Sequence, residues 1–393
     1  MYANKSNITD MAVEHKIKFY PVDNGDNVLL KLDDKTTVVV DCQIRKSEEN
    51  SDGVTIYDVK KDLIKELSKD TDNNPYVDLF INTHPHKDHC LGFGENYYHG
   101  SPDDYTETNR DNEEIIIGEL WVTQMFFQND LCDEACDVRR EAKRRRKLFE
   151  DGSKDSAKDG NRLRIIGYNN EDKTVDGLHY IPGDTVDTFN GKKNGYLSIF
   201  IHAPFKSDLV RGKADNDKNA TSIVVQMQLR TKKNGDIKSQ IIIGGDADHY
   251  VWEQILEKSK KNNNEDKLNW DLFLAPHHCS WTFFNDTPYK DNKTPKDYAL
   301  EFLDYKNDDA QIIASSVKIV NNENNPPCYQ AKQEYVKKVG ESNFKNTAVH
   351  KNEKTPEPLV YTITEDDGLM LLKTAAAAST TLLSSAAPRA GRN

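Results

Sequence analysis

No run of about 18 apolar residues occurs anywhere in the chain, so no segment reads as a membrane-spanning helix. The opening stretch, "MYANKSNITDMAVEHKIKFYPV", lacks the basic start and apolar core of a secretory signal, and the reading that follows is a cytoplasmic protein. Cysteine is sparse. The six present (Cys42, Cys90, Cys132, Cys136, Cys279 and Cys328) are too scattered for the disulfide framework of a small secreted domain, and reduced thiols are expected. Cys132 and Cys136 share a helix face, but with no second pair nearby they read as structural cysteines rather than zinc ligands. Positive charge is also in deficit. Lys plus Arg total 53 against 65 Asp plus Glu, a net charge of −12, which argues against clinging to nucleic acid or anionic lipid through overall charge.

What the chain does have is β-branched, alternating runs. "HKIKFYPV", "NVLLKL" and "TTVVVDC" read as a meander of short strands separated by "DNGD" and "DDK" turns. "YDVKKDLIKELSKD" has the apolar spacing of an amphipathic helix, and "YVDLFINT" is a buried strand. After a polar, less regular stretch over about 100–190, the β character returns in "GYLSIFIHAP", "TSIVVQMQL", "SQIIIGGDA" and "WDLFLAPHH". Helices follow at "DHYVWEQILEKSKK", "PKDYALEFL" and "CYQAKQEYVKKVG", with a strand "AQIIASS" and a last pair, "LVYTIT" and "GLMLLK". Two β-rich halves with helices outside predict an α/β fold of four layers, helix, sheet, sheet, helix (αββα). Residues 1–15 read as an N-terminal extension, 16–372 as one domain with an insertion around 100–190, and 373–393 as a low-complexity, disordered tail.

The chemistry is concentrated at strand ends. "INTHPHKDHC" places His84, His86, Asp88 and His89 within six residues, just past a strand. In extended backbone residues two apart point the same way, so His84 and His86 can share one metal, while Asp88 and His89 serve a second or orient the first. "QIIIGGDADHY" leaves Asp246 at the mouth of another apolar strand, where a carboxylate can bridge two cations. "DLFLAPHHCS" ends a third with His277 and His278. In extended backbone adjacent side chains point opposite ways, so one of these two is expected as a ligand, and the sequence does not say which.

The succession "THPHKDH", "GGD" and "PHH" resembles the metallo-β-lactamase superfamily with its H-x-H-x-D-H signature. "KFYPVDNGDNVLLKLDDKTTVVVDC", "NATSIVVQMQL" and "APHHCS" are similar to the ComEC-type branch, the hydrolase domain of competence proteins, here without a membrane channel. The resemblance spans about residues 16–372. It implies a metal-dependent hydrolase, with His84 and His86 on one metal and Asp88, His89 and His277 or His278 on the other. Zinc suits imidazole and carboxylate, two ions being expected, with manganese or iron as alternatives. A metal-bound hydroxide is the expected nucleophile, Asp88 the expected catalytic residue, and a phosphodiester in nucleic acid or a nucleotide the expected substrate. The superfamily's third histidine has no clear counterpart before "SIVVQM", where Asn219 or Asp217 stands, while His202 lies one strand earlier. A basic run, "RREAKRRRK" at 139–147, can track phosphates beside a cleft or be a solvated helix face. Two further readings stay open: a non-catalytic metal- or partner-binding module on the same fold, and a hydrolase of a small non-nucleic ester or lactam.

Overall fold

The computed structural model describes residues 13–46, 54–169 and 173–372. The expected tail, 373–393, and most of the expected N-terminal extension lie outside the described residues; Glu14 and His15, assigned to that extension, belong instead to the first strand.

The chain opens as a three-stranded meander, β1 (Glu14–Phe19), β2 (Val28–Lys31) and β3 (Thr37–Val40). Helix α1 (Val59–Glu66) starts where the Asp58 carboxylate accepts from the Lys61 amide, and crosses over to β4 (Pro75–Ile81), which pairs in parallel with β3. The short helix α2 (Lys87–Cys90) leads to β5 (Ile116–Thr123), then α3 (Asp133–Glu150), β6 (Arg162–Ile166) and β7 (His179–Tyr180), each strand parallel to the one before. The stretch around 100–190 therefore contributes three strands at one edge of the first sheet. A second sheet follows with β8 (Thr185–Val186), β9 (Leu197–Ala203), α4 (Lys206–Asp215), β10 (Val224–Leu229), β11 (Ser239–Ile243), α5 (His249–Lys261), β12 (Trp270–Leu274), α6 (Asp297–Leu303), β13 (Lys306–Ala314), α7 (Tyr329–Val339) and β14 (Phe344–Asn346). Its strand order is β14-β13-β12-β11-β10-β9-β8, antiparallel from β8 to β11 and parallel from β11 to β14.

The last two strands, β15 (Leu359–Thr364) and β16 (Gly368–Leu371), return to the first sheet, where β15 pairs antiparallel with β1 from Glu14↔Thr364 to Phe19↔Leu359. The order is β16-β15-β1-β2-β3-β4-β5-β6-β7. The two sheets are thus not two halves of the sequence.

Alternation along the strands sends side chains to two different cores. Val38, Val40, Leu79 and Ile81 of the first sheet join Ile241, Ile243, Leu272 and Ile313 of the second in one buried cluster. The residues between them go the other way. Val39 and Phe80 pack with Leu63 of α1 and Val138 and Ala142 of α3, while Ile242, Phe273 and Ile312 pack with Trp252 of α5, Phe302 of α6 and Tyr335 of α7. The protein is mixed α/β, and both faces of these central strands are buried. The parallel strands β3, β4, β11, β12 and β13 all end on loops that carry polar, buried side chains, as expected where ligands bind in α/β sheets. No helix among the described residues is long and apolar enough to cross a membrane.

Candidate metal centre

Past β4 the Asn82 amide donates to Trp121 O, holding the loop against β5 before it turns through His84, Pro85 and His86 into α2. The Nε2 of His84 and the Nδ1 of His86 meet at 3.1 Å, as the two-residue spacing predicts. Asp88 and His89 lie in the single turn of α2. Beyond β11, Gly244 and Gly245 bring Asp246 to the same place. Gly245 has φ +49°, and a Cβ there would stand 2.6 Å from Thr83 Oγ1, so the close approach of the two sheet ends requires glycine.

Asp246 is the hinge of the arrangement. One oxygen, Oδ1, lies 3.0 Å from His89 Nε2 and 3.5 Å from His278 Nε2; the other, Oδ2, lies 3.5 Å from His84 Nε2 and 3.6 Å from His277 Nε2. His278 Nε2 is also 3.2 Å from Asp88 Oδ2. Two groups of ligand-type atoms meet at Asp246: Asp88, His89, Asp246 and His278, and His84, His86 and Asp246, the atoms of each lying within 4.8 Å of one another; a third, Asp26, Asp41 and His89, lies behind them. Six of the seven residues singled out from the sequence fall in these two groups, and the seventh, His277, lies 3.6 Å from Asp246 Oδ2 without joining either.

His277 and His278 depart from the expected backbone. Neither is extended: His277, His278 and Cys279 have φ of +49°, +54° and +67°, three consecutive residues in the left-handed region. The alternation rule for strands does not apply to such a coil, and both rings end up beside Asp246. His278 belongs to the first group of ligand atoms, whereas His277 joins neither: its Nε2 faces Asp246 Oδ2 on the His84 side, and its Nδ1 lies 3.2 Å from Thr282 Oγ1.

The residues behind the cluster decide which ring nitrogen faces it. His89 Nδ1 donates to Asp41 Oδ2 at 2.8 Å, and His278 Nδ1 donates to Ser315 O at 3.0 Å. Each ring therefore turns Nε2 to the centre, the atom that a cation would take in place of a proton. Asp41 also accepts from Asn82 Nδ2, the Thr83 amide and Thr83 Oγ1, at 2.7–2.8 Å. Asp26 lies 3.8 Å from His278 Nδ1 and 4.0 Å from His89 Nδ1, and burial, against the pull of those two rings, lifts its carboxyl to about 6. Sequence reasoning passed over Asp41 and Asp26. The signal was available for Asp41, since "TVVVDC" ends an apolar strand in aspartate just as "IIIGGD" does.

A direct test of fit comes from polar atoms that the protein leaves unsatisfied. His89 Nε2, His278 Nε2 and Asp246 Oδ1 are buried and close together, yet none has a hydrogen bond of acceptable geometry. Buried polar atoms are ordinarily paired, and three convergent lone-pair donors repel one another unless a cation lies between them. The field agrees. Burial alone raises a carboxyl, but the four imidazoles, His277, His89, His278 and His84, hold Asp246 well below the usual carboxylate range. Asp246 and Asp41 lift His89 well above the ordinary imidazole value despite its burial, and the pull that draws a proton onto it draws a metal cation equally. Burial and the adjacent His84 push His86 down to about 3, keeping its lone pairs free. These buried groups can hold a metal ion.

The three stand-ins for a further ligand separate clearly. His202 bonds Lys267 O through Nε2 and takes no part in either group. Asp217 turns its Oδ1 to the amides of Asn219 and Ala220, and its Oδ2 lies 3.7 Å from Arg211. Asn219 keeps a buried Oδ1 with no partner, in a turn whose Ser222 Oγ accepts from the Asp246 amide at 3.2 Å.

The basic run does not flank this centre. The first turn of α3 does, with Glu134 3.0 Å from Lys87, and that turn is acidic. The basic residues follow toward the opposite end of the sheet, where Arg145, 1% exposed, bonds the carbonyls of Ile117 and Arg162 and the carboxylate of Glu141. Arg140, Arg144, Arg146 and Lys147 are ion-paired with Asp137, Glu141, Glu150 and Asp151. All six cysteines are free.

No protein-family model matches the chain, and no curated protein matches it. Fold and site together define a mixed α/β protein with a buried histidine–aspartate cluster suited to a metal ion.

Proposed function

We propose that the chain is a metal-dependent hydrolase of phosphodiester bonds, built on a four-layer αββα sandwich of the metallo-β-lactamase type. The layering is supported by the three apolar cores, one between the sheets and one outside each. The observation that carries the functional reading is Asp246, whose two oxygens each face a different set of histidines. Two ions would be held, by His84, His86 and Asp246 on one side and by Asp88, His89, His278 and Asp246 on the other. Zinc fits these donors best, with manganese or iron as the alternatives.

When bound, such ions supply a Lewis acid and a water acidic enough to attack at neutral pH. The protein does the rest. Asp246, His89 and His278 are buried to 0–1% exposure and fix the geometry, because Asp41 and Ser315 lock the rings. Asp88 has the most exposed side chain of the second set, at 36%, and it faces the solvent from which a substrate arrives. Despite burial, His278 and His89 hold its carboxyl well below the usual range, so at neutral pH it is ionised and would serve as an anionic ligand that orients a water rather than as a strong base.

A small phosphoester or nucleotide, rather than a long polynucleotide, is favoured by the basic helix. Five of its cations, Arg140, Arg144, Arg145, Arg146 and Lys147, are paired with carboxylates of the same helix or its C-cap, and Arg145 is buried at the sheet end away from the cluster. The test is incubation with Zn or Mn and a panel of single-stranded DNA, RNA, cyclic nucleotides and bis(p-nitrophenyl) phosphate. Cleavage of a diester is expected, with turnover falling at least about a hundredfold in Asp88→Asn while the protein stays folded. Absence of cleavage with every metal and every diester refutes the hydrolase.

A further inference from the structure

His277 is left over from the two groups of ligand atoms, and its surroundings specify what it can do. It opens the left-handed coil 277–279, and its amide donates to Gly245 O at 3.1 Å, which pins the coil beside Asp246. The ring turns Nδ1 to Thr282 Oγ1 at 3.2 Å and Nε2 to Asp246 Oδ2 at 3.6 Å. The second of these contacts is too long for a hydrogen bond. The side chain is 21% exposed, and Nε2, unlike that of His89 or His278, is unpaired without being sealed from solvent.

A chain of hydrogen bonds that runs one way fixes the proton on this ring. Asn325 Oδ1 accepts from the Trp281 amide at 2.9 Å, so the atom there is the oxygen of the carboxamide and not its nitrogen. Ser280 Oγ, 2.8 Å from the same oxygen, must therefore donate to it. With its hydrogen engaged, Ser280 Oγ accepts from the Thr282 hydroxyl at 3.0 Å, and Thr282 Oγ1 is left to accept from His277 Nδ1. Any other order sets two lone pairs face to face at hydrogen-bond distance. His277 is thus the Nδ1–H tautomer, and its Nε2 carries a bare lone pair.

That lone pair belongs to neither group of ligand atoms, so the partner it suits is a hydrogen-bond donor. A phosphodiester brings only acceptor oxygens to its phosphorus, and among the reactants of its hydrolysis the water alone has O–H groups to donate. We infer that Asn325, Ser280 and Thr282 hold His277 in this tautomer and that its Nε2 accepts from, and so aims, the attacking water. His277 stands on the Oδ2 side of Asp246, and Asp88 on the Oδ1 side beside His278. This rests on the hydrolase reading above and adds to it the residue that orients the nucleophile.

The tautomer is read by NMR of the metal-free full chain with 15N in its histidine rings, at pH 8, where an ordinary imidazole is neutral. The His277 signals, identified by their loss in His277→Ala, are expected to show Nδ1 protonated and Nε2 bare, and Thr282→Val to move the proton to Nε2. With Zn or Mn supplied, hydrolysis of bis(p-nitrophenyl) phosphate is expected to fall about a hundredfold in kcat in His277→Ala and about tenfold in Thr282→Val. Zn affinity, measured by competition with a chelator, is expected to stay unchanged in both. A proton on Nε2 in the unaltered protein overturns the inference, as does full turnover in folded His277→Ala. A loss of Zn affinity of about tenfold or more in His277→Ala also overturns it, because the ring would then be a ligand. If the unaltered protein cleaves no diester, the hydrolase falls and the aimed water with it; cleavage that persists in both variants removes the role of His277 alone.

Discussion

Replacing Asp41 with asparagine changes one atom in a residue that touches no solvent, and it should disable metal binding with little loss of stability. Asp41 Oδ1 accepts from Asn82 Nδ2 and the Thr83 amide, which an asparagine oxygen can still do. Its Oδ2 accepts from Thr83 Oγ1 and His89 Nδ1, and there asparagine offers an NH2 instead. The threonine hydroxyl can rotate to accept. The imidazole can only shift its proton to Nε2, the atom that faces Asp246 at 3.0 Å, and a protonated nitrogen cannot ligate. Loss of such a supporting bond weakens metal binding about 10–100-fold, or roughly 1.4–2.8 kcal/mol. Competition with a chromophoric chelator measures this for Zn, and thermal melting without metal checks that the fold is intact. Asp41→Ala is the contrasting case: it strands several buried donors at once and should cost roughly 3 kcal/mol or more even without metal. Undiminished Zn affinity in folded Asp41→Asn would refute the assignment of His89 as a ligand through Nε2.

Zn at about 100 times its dissociation constant should stabilise the protein by about 2.7 kcal/mol per site, a rise of roughly 3–4 °C in Tm for a chain of this size. The rise should be reversed by EDTA and absent in Asp246→Asn; a Tm indifferent to metal would count against the centre. Arg145→Ala removes a buried guanidinium that bonds Glu141 and the carbonyls of Ile117 and Arg162, and although Arg144 still pairs with Glu141, chemical denaturation should show a loss of about 2–3 kcal/mol, whereas Lys147→Ala on the exposed flank of the same helix should leave stability essentially unchanged. Burial works against ionisation of Glu66, but the ammonium of Lys18, with that of Lys31, holds its carboxyl down to about 2. Its stabilising contribution is therefore complete above about pH 4.5 and fades as the pH falls toward 2. Urea melts of Glu66→Gln should differ from those of the unaltered protein by a constant amount above pH 5 and converge with them near pH 2.

Most strands and helices were legible because their signals are local. "TTVVVDC" and "SQIIIGGDA" are buried on both faces, so they read as unbroken apolar runs, and "DHYVWEQILEKSKK" keeps one apolar face over three turns. The His84–His89 run was legible for the same reason. Pairing was not: nothing in "LVYTIT" names β1 as its neighbour more than 340 positions earlier, because strand partners are chosen by tertiary packing. At the twin histidines the extended backbone expected from the sequence gave way to a left-handed turn, although only one of the two, His278, falls in a ligand group, as expected. The basic run shows a different limit. Counting charges in "RREAKRRRKLFED" overstated what is available to a phosphate, although Glu141 and Glu150 stand four residues from Arg145 and Arg146 and could have been paired on the helical net.

The return of the last two strands to the first has a consequence during synthesis. As the chain leaves the ribosome, β1 to β7 can assemble long before β15 exists, and throughout that interval the outer backbone of β1 is an unpaired edge. Its natural partner emerges only after some 340 further residues. The histidines of the first sheet likewise wait for Asp246 and His278 from the second, so metal capture belongs to the end of folding rather than its beginning. A chain halted near Asn346 would carry every ligand yet keep an open edge on β1, and it should be the species most prone to pair with another copy of itself.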